Sequence, residues 1–243
     1  MSFRSLASPR RVMRNIEYIL RYWRDRALVD RCLDERAFLD RCLAEKDRLE
    51  FYLNTRDSLG SFNIEEGTVL FPEEHQFLKG LVETANTLPG PIVEIGTLFG
   101  FTTTRFAVWR KSEKKIITVD NYTWNPWQLT PEIHRKLTRQ FLAYLVETGQ
   151  VELVEMDQNK FYESYRGESP SLVFFDSIHD YEATKADIAW ARKVGAKIIA
   201  GHDYHEAFPG VVRAVTEAGG LGARAGVVWT LKSEYVQSPR SAA

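Results

Sequence analysis

The chain has 243 residues, more than one average domain and fewer than two, so one domain with an extension is the first expectation. Hydrophobic residues make up 44% and charged residues 27%, with a net charge of -1. This is the composition of a soluble globular protein without the electrostatic footprint of a polyanion binder, and no uninterrupted apolar run reaches the ~18 residues of a membrane span. Neither nucleic acid nor a membrane is an expected partner.

The chain opens on "MSFRSLASPRRVMRN", with several arginines and no acid before Glu17. No apolar signal-peptide core follows, so a basic tail is the first reading and a transit peptide the weaker one. From about Arg14 to Leu53, Ile16, Ile19, Leu20 and Trp23, then Leu28, Leu33, Phe38, Leu39, Leu43 and Leu49 recur at helical steps between charges. The two cysteines, Cys32 and Cys42, stand in a repeated "DRCL". On one helix they would lie about 15 Å apart, too far for a disulfide or a shared metal. They read as packing residues in a reducing, cytoplasmic compartment. The apolar stripe fits a lid or a surface for homo-oligomer formation. The aperiodic "LNTRDSLGSFNIEEGTVLFPEEH" reads as a linker, so residues 1–70 form a helical prefix and linker and residues 71–243 the main domain.

A helix is expected near Glu73 to Asn86. After "LPGP" the texture changes. "PIVEI", "KIITVD", "VELVEM", "SLVFFD" and "AKIIAG" read as strands. Thr102 to Arg110, Pro131 to Glu147, Asn159 to Tyr165 and Tyr181 to Lys193 read as the helices between them. This alternation predicts an α/β fold with a parallel sheet covered on both faces. The tail from Phe208 to Gln237 reads as a helix, a glycine-rich turn and a closing strand pair. Ligands of such sheets bind beyond the carboxyl ends of the strands, and five strands finish at or just before an acid: Glu94, Asp120, Asp157, Asp176 and Asp203.

The stretch "VEIGTLFGFTTTRF" holds Gly96 and Gly100 in a Glu94-x-Gly96-x-x-x-Gly100 pattern. A dinucleotide loop has three glycines and receives a pyrophosphate, which Glu94 would repel. A ligand carrying an ammonium and a sulfonium, S-adenosylmethionine, suits this acid better, with the glycines passing beneath it and Thr102 donating to its carboxylate. Asp120 sits where an acid accepts from ribose hydroxyls, which suits NAD equally, so Glu94 is the discriminating residue. Asp157 reads either as an adenine-edge contact, with Gln158 an equal candidate, or as the N-cap of the next helix. Trp124 and Trp127 would stack on adenine, wall the acceptor site or pack against the prefix.

The glycine loop, Asp120, "FFDSIHDYEATKADI" and "GHDYHEAFPGVVRAV" together resemble class I S-adenosylmethionine-dependent methyltransferases. Within these they resemble the small-molecule O-methyltransferases of the macrolide-sugar and cephamycin-pathway type. The resemblance spans about Leu88 to Leu231 and excludes the prefix. It implies a Rossmann-like doubly wound sheet of seven mostly parallel strands, and methyl transfer to a hydroxyl of a sugar or other small natural-product scaffold.

A neutral alcohol needs its proton taken by a base or acidified by a divalent metal. The resemblance assigns His179 as general base and Asp176 as a magnesium ligand, with an acidic pair at the next strand end completing the metal site. Here that pair is His202 and Asp203. Magnesium prefers oxygen ligands, so His202 leaves manganese, iron, zinc or no metal open. Asp180, Asp187 and His205 read as a cap, a solvated helix residue and a loop residue, and Tyr181 and Tyr204 as packing residues or as hydrogen-bond partners behind the site. Two rival readings remain. One is a nicotinamide oxidoreductase using Tyr181 and Lys185 in a Tyr-x-x-x-Lys pair. The other is a non-catalytic binding module on the same fold.

Overall fold

The computed structural model describes residues 72–110, 113–124 and 130–236, all within one compact unit, Val69–Ala243. The prefix helices, Cys32, Cys42, the proposed self-association surface and Trp127 lie outside the described residues.

The first described helix, α1 (Pro72–Ala85), starts on a proline, whose missing N–H costs nothing there, and carries Glu73 and Glu74 in its first turn. Strands β1 (Ile92–Ile95), β2 (Ile116–Asp120), β3 (Val151–Glu155), β4 (Leu172–Phe175) and β5 (Ile198–Gly201) then alternate with helices. These are α2 (Phe101–Trp109), α3 (Pro131–Glu147), α4 (Gln158–Ser164) and α5 (Tyr181–Lys193). After β5 come α6 (Pro209–Glu217) and the strands β6 (Leu221–Ala225) and β7 (Val228–Leu231).

The seven strands form one sheet in the order β3-β2-β1-β4-β5-β7-β6. The first five pair in parallel, and β7 runs antiparallel to both β5 and β6. Every residue of β1, β4, β5 and β7 is buried, as unbroken apolar runs under helices on both faces require. This is the doubly wound, Rossmann-like sheet that the sequence predicts.

The starts of α2 and α4 each differ by one residue from the sequence reading, for local reasons. Gly100, left-handed at φ 88°, lets α2 begin at Phe101. The Asp157 side chain accepts from the backbone N–H groups of Asn159 and Lys160, so α4 begins at Gln158. Chain winding reverses between β1 and β4, which places the topological switch point, the preferred ligand position in such sheets, where Gly96 and Asp176 leave their strands.

Candidate active site

At the switch point the two strand ends nearly touch. Gly96 has φ 102°, and a Cβ there would lie 2.0 Å from the Asp176 carbonyl oxygen. Only glycine satisfies both the backbone conformation and the close approach. Leu98 follows at φ 50°, its N–H donating to Asp120 Oδ2 at 2.7 Å, while Asp120 Oδ1 accepts from the Tyr122 N–H at 2.7 Å. The Leu98 carbonyl accepts from Thr138 on α3 at 2.5 Å and contacts His134 Nε2 at 3.1 Å. The glycine loop is thus clamped by α3 and by Asp120. Each Asp120 oxygen still has a lone pair for a ligand hydroxyl.

Glu94 is not at the strand end as the sequence suggests. It is the third residue of β1 and fully buried. One carboxyl oxygen, Oε2, accepts from Thr103 on α2 and from Thr118 on β2, the latter at 2.6 Å. Thr97 extends the network to Thr118 at 2.6 Å. The other oxygen, Oε1, is buried without a hydrogen-bond partner. Burial pushes the carboxyl up to about 8, against the hydrogen bonds of the two threonines. The acid expected to present a bare negative charge is therefore a protonated carboxyl at neutral pH. The threonine that meets it is Thr103; Thr102 is a half-buried residue of the same first turn. A helical step signals Thr103 only once the strand facing it is known.

Asp157 is the N-cap of α4. Gln158 is buried beside it, its amide donating to Asp187 at 3.2 Å and accepting from Ser177 at 2.9 Å. Asp187 also accepts from the Tyr162 hydroxyl at 2.7 Å. The solvated helix position expected for Asp187 is thus a buried one, and burial pushes its carboxyl up to about 7. This network braces Ser177, the residue after Asp176.

Beyond β4 and β5 a second group of side chains converges. His179 Nε2 lies 3.1 Å from Asp203 Oδ2, and its ring stands edge-on to Phe208. His202 Nδ1 lies 3.6 Å from Asp176 Oδ1 and 3.4 Å from Asp203 Oδ2. The opposite ring nitrogen, Nε2, faces Glu74 Oε2 of α1 at 3.9 Å. Glu74 is buried, and its Oε1 accepts from the Val227 N–H at 2.8 Å. Nothing in the sequence flagged Glu74, whose first-turn position reads as a dipole partner.

Burial raises the Asp176 carboxyl, with His202 and His179 opposing. Burial alone would lower His202, but Asp176, Asp203 and Glu74 outweigh it and hold the ring well above its ordinary value. Burial likewise works against Asp203, yet the two histidines bring it below the usual carboxylate range. The site therefore carries an excess of acid that a cation would satisfy. Single donor atoms of Asp176, His202 and Asp203 all lie within 4.8 Å of one another. That spacing, with one nitrogen and two oxygens, fits a divalent ion.

Asp203 adopts φ 60°; with Leu98 and Tyr122 it is one of three non-glycine residues at positive φ among the described residues, and all three border this region. Backbone strain of this kind collects where a site must be held in shape. Asp180 caps α5, and His205 accepts from Ala207 within its own loop. Lys185 Nζ lies 5.3 Å over the Tyr181 ring. The Tyr181 hydroxyl donates to Glu217 on α6, and Arg213 lies 4.1 Å over its ring. Tyr204 packs against the core with Arg224 over its ring. Trp124 is 56% exposed. No helix among the described residues is long and apolar enough to cross a membrane.

Residues 93–204 match a family model described as a methyltransferase domain. Among solved structures, the O-methyltransferase from Bacillus cereus in complex with SAH is similar at 18% identity, covering 75% of this chain and 84% of that one, with a TM-score of 0.52. The calicheamicin-biosynthesis enzyme CalS11, a TDP-rhamnose 3'-O-methyltransferase, is 20% identical, covering 76% of this chain and 91% of that one, with a TM-score of 0.51. At these identities the likeness is one of fold. No curated protein matches the chain.

Proposed function

We propose that this chain, which carries a methyltransferase domain over residues 93–204, moves a methyl group from S-adenosylmethionine to a hydroxyl of a sugar or other small natural-product scaffold. The observation that carries the reading is the meeting of the glycine loop with Asp176 at the switch point, one strand away from the His179–Asp203 pair. The methyl donor would supply an electrophilic carbon next to a sulfonium. The buried Oε1 of Glu94, which has no hydrogen-bond partner, supports a ligand at the loop, because a polar atom left buried and unsatisfied calls for one.

Gly96 and Gly100, both at positive φ, would shape the loop beneath the methionine end, with Thr102 at the start of α2 beside it. The second lone pairs of Asp120 are available to the ribose hydroxyls. Gln158, which begins α4 behind the Asp157 cap, would lie with it on the adenine side.

At the acceptor, His179, whose Nε2 stands 3.1 Å from Asp203 Oδ2, would take the proton on Nδ1, and Asp203 would stabilise the imidazolium that results. Asp176, His202 and Asp203 would hold a divalent ion, which would supply Lewis acidity toward the acceptor hydroxyl. The sugar-nucleotide acceptor named for CalS11 has the class of hydroxyl this arrangement suits.

Calorimetry of the full chain with S-adenosylmethionine, S-adenosylhomocysteine and NAD(H) tests the cofactor. Binding of the two sulfur ligands is expected, and tight NAD(H) binding with none of theirs would overturn the reading. Labelled S-adenosylmethionine with a panel of hydroxylated acceptors then identifies the substrate.

A further inference from the structure

We infer that Glu74, contributed by α1 ahead of the matched methyltransferase segment, positions His202 as a nitrogen ligand and thereby gives this site a preference for a transition-metal ion over magnesium. The inference rests on the metal reading above, and Glu74 itself lies outside the matched residues 93–204.

The His202 ring has little freedom. Its backbone N–H donates to the Phe175 carbonyl at 2.9 Å, and its own carbonyl accepts from Trp229 Nε1 at 2.8 Å. The ring is buried and spans two groups of acids. Nδ1 stands 3.6 Å from Asp176 Oδ1 and 3.4 Å from Asp203 Oδ2. Both separations exceed the 2.7–3.2 Å typical of N–H···O bonds. They fall among the distances, roughly 3–4 Å, that separate donor atoms sharing one ion with bonds of about 2.1 Å. Nδ1 thus faces the centre that Asp176 and Asp203 also face.

On the other side, Nε2 is buried, makes no hydrogen bond and looks toward Glu74 Oε2 at 3.9 Å. Glu74 is anchored through Oε1 to the Val227 N–H, so its second oxygen is fixed in direction. A carboxylate behind the non-ligating nitrogen is the usual way a protein sets a ligating imidazole, because it favours the tautomer with its proton on that side. Here that tautomer carries Nε2–H, so an ion that displaces the Nδ1 proton would take the Nδ1 lone pair. Imidazole nitrogen suits manganese, iron, cobalt and zinc better than magnesium, whose ligands are oxygens.

The test is metal binding by the full chain, read without any methyl acceptor. Metal-free protein is titrated with Mn²⁺ by electron paramagnetic resonance and with Mg²⁺ by competition, for wild type, Glu74→Gln, His202→Asp and Asp176→Asn. Glu74→Gln keeps an oxygen for the Val227 N–H but presents an amide donor toward Nε2, which opposes the required tautomer. Wild type is expected to bind one Mn²⁺ at least ~10-fold more tightly than Mg²⁺. Glu74→Gln is expected to lose about 10–100-fold in Mn²⁺ affinity, with a smaller change for Mg²⁺. His202→Asp is expected to shift the preference toward Mg²⁺, and Asp176→Asn to abolish the Mn²⁺ site.

An unchanged Mn²⁺/Mg²⁺ ratio in a folded Glu74→Gln overturns the role of Glu74 while leaving the metal site standing. If that variant does not fold, an unchanged ratio in His202→Asp overturns the nitrogen-ligand assignment instead. Mn²⁺ binding that survives Asp176→Asn places the ion elsewhere, and no stoichiometric binding to wild type overturns both the inference and the metal reading. The cofactor calorimetry is independent of all four outcomes.

Discussion

His179 Nε2 lies 3.1 Å from Oδ2 of Asp203, a residue held at φ 60° just beyond β5, so the imidazole is joined to the strand-end acid before any substrate arrives. The acid comes from the loop after β5 and the histidine from the loop after β4, so the pair exists only because those strands are neighbours. Asp203 thus faces both the proposed ion and the proposed base.

For the base, His179→Ala is expected to lower the methyl-transfer rate by about 10²–10⁴-fold while leaving S-adenosylmethionine affinity unchanged. Single-turnover rates alongside cofactor calorimetry separate the two quantities. An equal loss of cofactor binding would show that His179 belongs to the cofactor pocket instead.

Glu94 links stability to pH. Its carboxyl is ordinarily near 4.5 and is raised to about 8 in the fold. Folding is therefore favoured by the neutral form below the lower value, and that contribution is lost as pH rises through the upper one, by about 1.4 kcal/mol per pH unit at most. Glu94→Gln keeps the shape without the titration. It should melt higher than wild type at pH 8 and close to wild type at pH 4, in scanning calorimetry across that range.

Cofactor binding should draw on the same proton. A cation above the loop favours the carboxylate, so binding releases the proton and affinity rises with pH from 6 to about 8. Titration calorimetry at pH 7 in two buffers of different ionisation enthalpy should report release of about one proton. In Glu94→Gln the release should vanish and the affinity should fall.

Gly96→Ala places a methyl group 2.0 Å from the Asp176 carbonyl oxygen in a backbone conformation that L-residues rarely adopt. A loss of at least ~2 kcal/mol in denaturant unfolding is expected, together with loss of cofactor binding. Wild-type stability in this variant would mean that the loop and β4 can separate freely.

Asp187→Ala removes the acceptor shared by Gln158 and Tyr162 inside α4 and α5. Stranding buried donors costs about 1–3 kcal/mol each, and Asp187→Asn, which keeps an acceptor, should recover much of it. Chemical denaturation of the two variants at pH 8 checks the order.

Much of the fold was legible in the sequence because its signals are local. Apolar runs of strand length between amphipathic ones, a proline opening α1 and an aspartate capping α4 depend on neighbours in the chain, and Pro131–Glu147 and Tyr181–Lys193 come out at the same bounds in sequence and structure. The order and spacing of Asp176, His179, His202 and Asp203 could be read too, since each follows directly from a strand end.

What the sequence alone determined was therefore which elements form and which acids and histidines leave the sheet near its ligand-binding edge. Tertiary structure decided their chemical states. Glu94 reads as a charge in its motif, yet it becomes a protonated carboxyl because α2 and β2 bury it, against the hydrogen bonds of Thr103 and Thr118. Asp187 reads as solvated and is buried by α4 packing beside it. Glu74 lies 128 residues before His202 and meets it only through the packing of α1. Burial and electrostatic field depend on which elements pack together, and a pattern of adjacent residues cannot encode that by itself.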